Sequence, residues 1–354
     1  MPTDTMTHSS TLVARQCPRR YYNRYECGIV PAGPPVEPLR IGDRFHVGME
    51  ARNSGRPVEE ALGLALSTYE FMPDGFNAYD WNVERETVRA LITGYYWYYG
   101  EDQHTVVHPE KKYKQLPILN PETGKASRTF NTSGKIDAVV TLADGRMALW
   151  EYKTCSEDIG PESAYWQRLN ADPQVSKYYL DALTLGFDIQ TVWYDVTRKP
   201  TIQPRQIPLL DENGCKIVLD RDGQRVLTKQ GKPRQTPSTE DGFVLQTRPE
   251  TPEEFGQRLL EDIGERPAYY FQRREVSRSV HDLDEYRAEL WQQSQLILEM
   301  RRRGLWFRNV TRWNCANCEY AGPCLSGVRI APDRIPSGFV VTDNFHPELD
   351  GESE

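Results

Sequence analysis

The chain has 354 residues, 27% of them charged and 38% apolar, with a formal net charge of −8. That length suits one large domain with insertions or two modest ones, and the composition is that of an ordinary globular protein. The acidic balance argues against a broadly basic protein that coats nucleic acid, though it leaves room for an enzyme that grips nucleic acid in a local cleft. No apolar run approaches the roughly 20 residues needed to span a bilayer, and the first sixteen residues, MPTDTMTHSSTLVARQ, lack the apolar core of a signal peptide. A cytoplasmic setting is therefore expected, where seven cysteines read as metal ligands or plain thiols rather than disulfides.

In chain order, residues 1–10 are polar and expected to be flexible. Cys17-Pro18-Arg19-Arg20-Tyr21-Tyr22, with Arg24 and Tyr25, interleaves cations and rings as a nucleic-acid surface would, while Pro18 equally suits the first position of an ordinary helix. A proline-rich connector follows at 31–39. Residues 41–66 read as one helix, with Gly42, His46 and Glu50 along it, and 84–99 as a second, rich in Tyr and Trp. A lone helical histidine such as His46 is by itself ordinary. Residues 105–119 read as a strand carrying Glu110, and 120–133 as a polar loop.

The stretch Gly134–Thr154, GKIDAVVTLADGRMALWEYKT, reads as two strands about an Asp144-Gly145 turn. With Ala143-Asp144-Gly145 as a three-residue loop and Gly145 left-handed, Leu142 pairs with Arg146 and Asp137 falls opposite Glu151. Lys153 shares their face, because strand side chains alternate; a two-residue loop would instead separate the carboxylates. Opposed carboxylates repel and make sense with a divalent cation between them, for which oxygen ligands suit Mg²⁺ or Mn²⁺. A neighbouring lysine can orient water or offset charge on a phosphate. Taken alone, a D…ExK pattern also describes a solvated hairpin.

Asp172-Pro173 opens a helix by N-cap and first-turn proline, with Gln174, Tyr178 and Asp181 on one face. Residues 189–197 make a further strand, and 199–250 an inserted hairpin or loop. Helices follow at 252–263 and 282–303, the latter ending in Arg301-Arg302-Arg303, which suit its negative end. Cys315-x2-Cys318-x5-Cys324 is a metal signal that lacks one ligand for zinc or an iron–sulfur cluster. Cys17, Cys27, Cys155 and Cys215 are the candidates for that ligand. The last residues are acidic, with Glu348, Asp350, Glu352 and Glu354, and a disordered tail is expected.

These motifs, in this order, resemble the RecB-like branch of the PD-(D/E)XK nuclease superfamily in its iron–sulfur form, which includes AddB-type nucleases and phage and CRISPR-associated exonucleases. The resemblance rests on Cys17 with its basic and aromatic followers; on Gly42, His46 and Glu50; on Gly134 to Asp137; on Glu151 to Lys153; on Gln174 and Tyr178; and on the three C-terminal cysteines. It covers residues 10–195 and 280–327. It implies an α/β, restriction-endonuclease-like core, a mixed central sheet flanked by helices, with an iron–sulfur clasp joining the two ends of the chain. The implied segments are a flexible 1–10, a nuclease core at 11–198, the insert at 199–250, C-terminal helices with the cysteine motif at 251–327, and a tail at 328–354.

The resemblance further implies that Cys17, Cys315, Cys318 and Cys324 hold a [4Fe–4S] cluster. It has His46, Asp137, Glu151 and the carbonyl of Tyr152 bind Mg²⁺ or Mn²⁺, Lys153 position water, and Gln174 and Tyr178 contact DNA; Glu110 matches only loosely. The expected activity is metal-dependent exonucleolytic hydrolysis of DNA ends or single strands in processing, recombination or repair, in a bacterial or phage-infected cell. No phosphate-loop motif is present, so unwinding would come from a helicase or recombination partner. A site-specific endonuclease, a non-catalytic DNA-binding module with a four-cysteine clasp, and a zinc-clasped adaptor stand as alternatives. Oligomeric state, polarity and the roles of Cys27, Cys155 and Cys215 are not legible.

Overall fold

The computed structural model describes residues 4–100 and 102–349. The chain opens with β1 (Asp4–Met6), α1 (His8–Gln16), α2 (Pro18–Tyr21), a π-helical turn at Tyr22–Glu26 and β2 (Ile29–Pro31). Three helices follow: α3 (Glu37–Asn53), α4 (Val58–Leu66) and α5 (Ala78–Tyr98). Then come β3 (Thr105–His108), β4 (Lys111–Leu119), β5 (Ala126–Ile136), β6 (Ala138–Thr141), β7 (Met147–Cys155), α6 (Ala164–Leu169), α7 (Pro173–Thr184) and β8 (Ile189–Arg198). The insert holds only β9 (Gln206–Pro208), β10 (Val218–Leu219), β11 (Val244–Leu245) and β12 (Thr247–Pro249). The chain closes with α8 (Pro252–Glu265), α9 (Pro267–Tyr270), β13 (Phe271–Val276), α10 (Val280–Arg303), α11 (Arg312–Ala316), α12 (Ala321–Leu325), β14 (Phe339–Val341) and a 3₁₀ turn at Pro347–Leu349.

The central sheet has five strands in the order β13-β8-β7-β6-β3, with β7 and β8 parallel and the other pairs antiparallel. Alternation along β7 divides its side chains between two cores. Ala148, Trp150 and Tyr152 pack with Phe45 and Met49 of α3 and Leu91 and Tyr95 of α5. Leu149 faces the other way, toward Val175 and Tyr179 of α7 and Tyr286 of α10. This is the mixed α/β architecture, a sheet with helices on both faces, that the motif order implies.

One long hairpin serves two sheets. Its inner end pairs β3 with β6, and its outer end pairs β4 with β5 in a three-stranded sheet completed by β1, which lies parallel to β5. His108 pairs with Val139 and Lys111 with Ile136, so the hairpin changes sheets at Glu110 and Asp137. Gly134 lies just before this bend, where a Cβ would stand 2.3 Å from the Tyr113 hydroxyl. That hydroxyl is held in place: it donates to Asp181 and accepts from Lys177 Nζ at 2.8 Å, while Lys177 also reaches Asp181 at 2.5 Å and the Ser133 carbonyl at 3.2 Å. Lys177 and Asp181 are both buried. The rear of the α7 polar face is thus a buried charge cluster rather than a solvated surface.

Several expectations need correction. The segment expected to be flexible at 1–10 supplies β1 and the start of α1; Met6 is fully buried and Thr7 and Ser10 form a reciprocal cap. Residues 1–3 lie outside the described residues. The single helix expected over 41–66 is two, broken where Gly55 takes a positive φ of 74°. The polar loop expected at 120–133 is mostly β5, whose Phe130 is buried together with the polar Asn131, Thr132 and Ser133. The tail folds back: β14 pairs with β2, and Glu348 reaches Thr7; Asp350, Glu352 and Glu354 lie outside the described residues. The insert contains an unexpected repeat. Leu210-Asp211-x-x-Gly214, Leu219-Asp220-x-x-Gly223 and Leu227-Thr228-x-x-Gly231 each close a tight turn in which the glycine N–H donates back to the Asp or Thr carbonyl.

Asp181→Ala should lower stability by about 3–5 kcal/mol, because it strands the Lys177 ammonium in the core. Pairing it with Lys177→Met should recover most of that loss. Denaturant unfolding of the two variants measures both.

Candidate active site

The three-residue loop is present: Gly145 has φ of 86°, its N–H donates to the Leu142 carbonyl, and the Leu142 N–H donates to Arg146 at 2.8 Å. Ala138 pairs with Trp150, and the next step of that register sets Asp137 against Glu151. On the other side the hairpin register sets Glu110 against Asp137. Three carboxylates therefore stand in line across adjacent strands where the apolar stripe of Leu149 ends. Like charges so placed repel unless something intervenes.

Glu110 is compensated by Lys135 at 2.6 Å and Lys112 at 3.3 Å. Asp137 lies 3.5 Å from the His46 ring, brought over by α3, and accepts the Tyr152 backbone N–H at 3.0 Å. Glu151, only 4% exposed, takes Lys153 Nζ at 2.6 Å and Gln174 Nε2 at 2.8 Å. Gln174 is aimed by the first turn of α7, where the Asp172 carboxylate caps its N–H at 2.7 Å. His46, Asp137, Glu151, Lys153, Gln174 and Tyr178 all line one cavity of about 270 Å³. Tyr152 contributes backbone only; its ring is buried on the opposite face, donating to Asn53.

The two carboxylates are driven apart electrostatically. Burial pushes Glu151 up to about 7, aided by the Asp137 charge and opposed by Lys153. Burial also pushes on Asp137, but His46, Lys153 and the Tyr152 N–H outweigh it and hold that carboxyl at about 2. Lys153 is raised: burial opposes its charge, and Glu151 and Asp137 more than restore it. Glu50, one turn beyond His46, is raised by burial and by Glu110, and does not line the cavity.

Five further residues from the two ends of the chain line the cavity unannounced by any motif: Thr7, His8 and Ser9 at the start of α1, and Pro347 and Glu348 from the C-terminal turn. His8 is held neutral, lowered to about 3 by burial and then by Lys153, Lys177 and Arg15. Short polar terminal segments carry no periodicity to mark them. Asp43 also lines the cavity. It sits one turn before His46 on α3, so helical spacing could have found it.

The Cys17 segment lies beside the Cys315–Cys324 segment, but the cysteines form no closed set. Gln16 accepts from Asn314 at 3.0 Å and Asn309 at 2.9 Å, the Arg19 N–H donates to Phe307, and Arg20 pairs with Glu319 at 2.7 Å. These bonds fasten the Cys17 segment to the Cys315–Cys324 segment. Burial raises the Cys318 thiol, with Glu319 and Cys17 adding to it. Cys17, Cys315, Cys318 and Cys324 are all free and partly buried. Among the described residues no group of three or more His, Cys, Asp or Glu side chains is gathered to hold a metal. Cys27 packs in a small apolar cluster with Ile29 and Tyr320, Cys155 ends β7, and Cys215 sits in a turn of the insert.

A carboxyl raised on folding loses stability as pH rises from its ordinary 4.5 through about 7. Metal-free Glu151→Gln should therefore exceed wild type in stability by about 1–3 kcal/mol at pH 8, and the difference should vanish near pH 4.5. Asp137 has the opposite sign, stabilising above its ordinary 3.8 and losing that contribution as pH falls toward about 2. Thermal unfolding of Glu151→Gln and wild type across pH in chelator reads the difference.

No described helix is long and apolar enough to cross a membrane. No curated protein matches the chain. Among solved structures it is similar to one described as "Crystal structure of SSO0001", at 9% identity and a TM-score of 0.34, over 92% of this chain and 88% of that one; so distant a likeness carries no argument. The model of the PD-(D/E)XK nuclease superfamily matches residues 5–325, which include every carboxylate of the strand bend and the Lys153 beside them. The chain belongs to the PD-(D/E)XK nuclease superfamily.

Proposed function

We propose that the protein is a Mg²⁺- or Mn²⁺-dependent deoxyribonuclease of the RecB-like branch that hydrolyses DNA from an end. The observation that carries this reading is the strand register setting Asp137 against Glu151, with Lys153 on the same face. The donor set suits a hard divalent cation: two carboxylates whose mutual repulsion a cation would relieve, the His46 ring beside them, and the backbone carbonyl of Tyr152, the residue whose N–H donates to Asp137. Bound there, such an ion would lower the pKa of a water and neutralise charge on the phosphate.

The chain's own residues supply the rest. Gln174 fixes the Glu151 carboxylate so that one oxygen is committed to it and to Lys153. Lys153, kept charged by both carboxylates, is placed to orient the attacking water and to offset charge on the departing oxygen. Tyr178, one turn along α7, presents its side chain to the same cavity and to the substrate. α1, α3, α7 and the C-terminal turn wall the cavity around these residues. The proposed substrate is DNA ends or single strands, as the family resemblance implies, with unwinding left to a partner.

Degradation of end-labelled linear DNA, beside a closed circle, tests the reading in Mg²⁺ and Mn²⁺. Wild type should consume the linear substrate alone, and Glu151→Ala and Lys153→Ala should each lose roughly 10²-fold or more. Equal cutting of the circle would move the enzyme to the endonucleases. Equal behaviour of wild type and Glu151→Ala would leave a DNA-binding module.

We further propose a [4Fe–4S] cluster on Cys17, Cys315, Cys318 and Cys324. The hydrogen bonds from Asn309 and Asn314 to Gln16 support it, because they draw the two cysteine segments together. Hydrolysis needs no electron transfer, so the role is that of a clasp. Protein purified without oxygen should be brown, absorb near 400 nm and contain about four irons per chain. Colourless, zinc-loaded protein would replace the cluster with a zinc clasp.

A further inference from the structure

The C-terminal turn stands in the mouth of the candidate active site. Beyond β14, the Thr342 N–H donates to the Gly28 carbonyl at 2.7 Å, and Phe345 lies against Gly28. The His346 ring stacks on Tyr25 with centroids 5.3 Å apart. The 3₁₀ turn Pro347–Leu349 then packs on β5, and Pro347 and Glu348 line the same cavity as Asp137 and Glu151. Glu348 accepts the Thr7 hydroxyl at 2.6 Å and lies 3.3 Å from His346 Nδ1. Burial pushes on its carboxyl, but His346 and Thr7 hold it lowered and charged.

The electrostatics of the cavity give this placement a consequence. Asp43, Asp137, Glu151 and Glu348 all line it, and its two lysines are engaged, Lys135 with Glu110 and Lys153 with Glu151. A fourth carboxylate in that space opposes an incoming phosphate directly. It also occupies the hydroxyl of Thr7, the N-cap of α1. The segment is lightly held: residues 341–349 are all exposed or half-buried, none of them fully. Segments with so little burial open at low free-energy cost.

Resting on the nuclease reading above, we propose that residues 343–349 form an intramolecular plug. Glu348 holds the place of a substrate phosphate at the mouth of the site, and DNA enters by displacing it. The anchor at β14 and β2 stays in place, so the plug swings about residues 342–344 rather than leaving the protein.

The test uses the full-length chain and a fluorescein-labelled single-stranded oligonucleotide. In a Glu151→Gln background, which stops cleavage, Glu348→Ala should tighten oligonucleotide binding by about 5–20-fold. In the active background it should raise kcat/KM by a similar factor. Glu348→Gln keeps an acceptor for Thr7 but removes the charge, and should recover part of the gain. In wild type, deuterium exchange of the 343–349 amides should rise when oligonucleotide binds. Unchanged or weaker binding in both Glu348 variants, with unaltered exchange in an active wild-type nuclease, would overturn the plug and leave the nuclease standing. Absence of metal-dependent cleavage and of oligonucleotide binding in every variant would overturn both.

Discussion

Everything at this site depends on one strand register. The turn Ala143–Gly145 uses three residues, with glycine in the left-handed position, and so sets Asp137 against Glu151. A slip of one residue would send every side chain of one strand to the other face of the sheet. Trp150 and Tyr152 would then stand where Glu151 and Lys153 now face the cavity. The apolar alternation that builds two cores also guards this register, because Leu149 and Trp150 must each find their own side.

Around that pair the helices act as positioning devices. α3 buries Phe45 and Met49 on one face of the sheet and carries His46 past its edge to Asp137. α7 buries Val175 and Tyr179 on the other face and brings Gln174 to Glu151. The hairpin bend, with Gly134 beneath the Tyr113 hydroxyl, leaves Asp137 between two sheets rather than inside either. The Lys177–Asp181–Tyr113 cluster locks that bend to α7. The charged centre is thus held by its surroundings while its two carboxylates differ widely in proton affinity.

The parts legible in the sequence were those with a short-range physical signature. Asp144-Gly145 marks a turn, alternation marks the flanking strands, and Asp172-Pro173 marks the start of α7. From these the line of Asp137, Glu151 and Lys153 followed, as did Gln174 and Tyr178. What escaped notice depends on long-range pairing. β1 is three residues that pair with the edge of β5, itself a strand whose buried residues include the polar Asn131, Thr132 and Ser133 and so carry no apolar alternation. Glu348 reaches the site from the far end of the chain. The turn repeat of the insert, Leu followed by Asp or Thr and a Gly three residues later, was obscured by its lack of an apolar period. The family resemblance joined Cys17 to the distant cysteines, which spacing alone left open among four candidates.

The proposed nuclease stands on Asp137 and Glu151 holding a divalent cation together. Anomalous diffraction from crystals soaked in Mn²⁺ tests it most directly. A manganese peak is expected within about 2.0–2.6 Å of carboxylate oxygens from both residues, lost in Glu151→Gln. A peak elsewhere, or none at this pair in crystals that bind manganese at other positions, would contradict it.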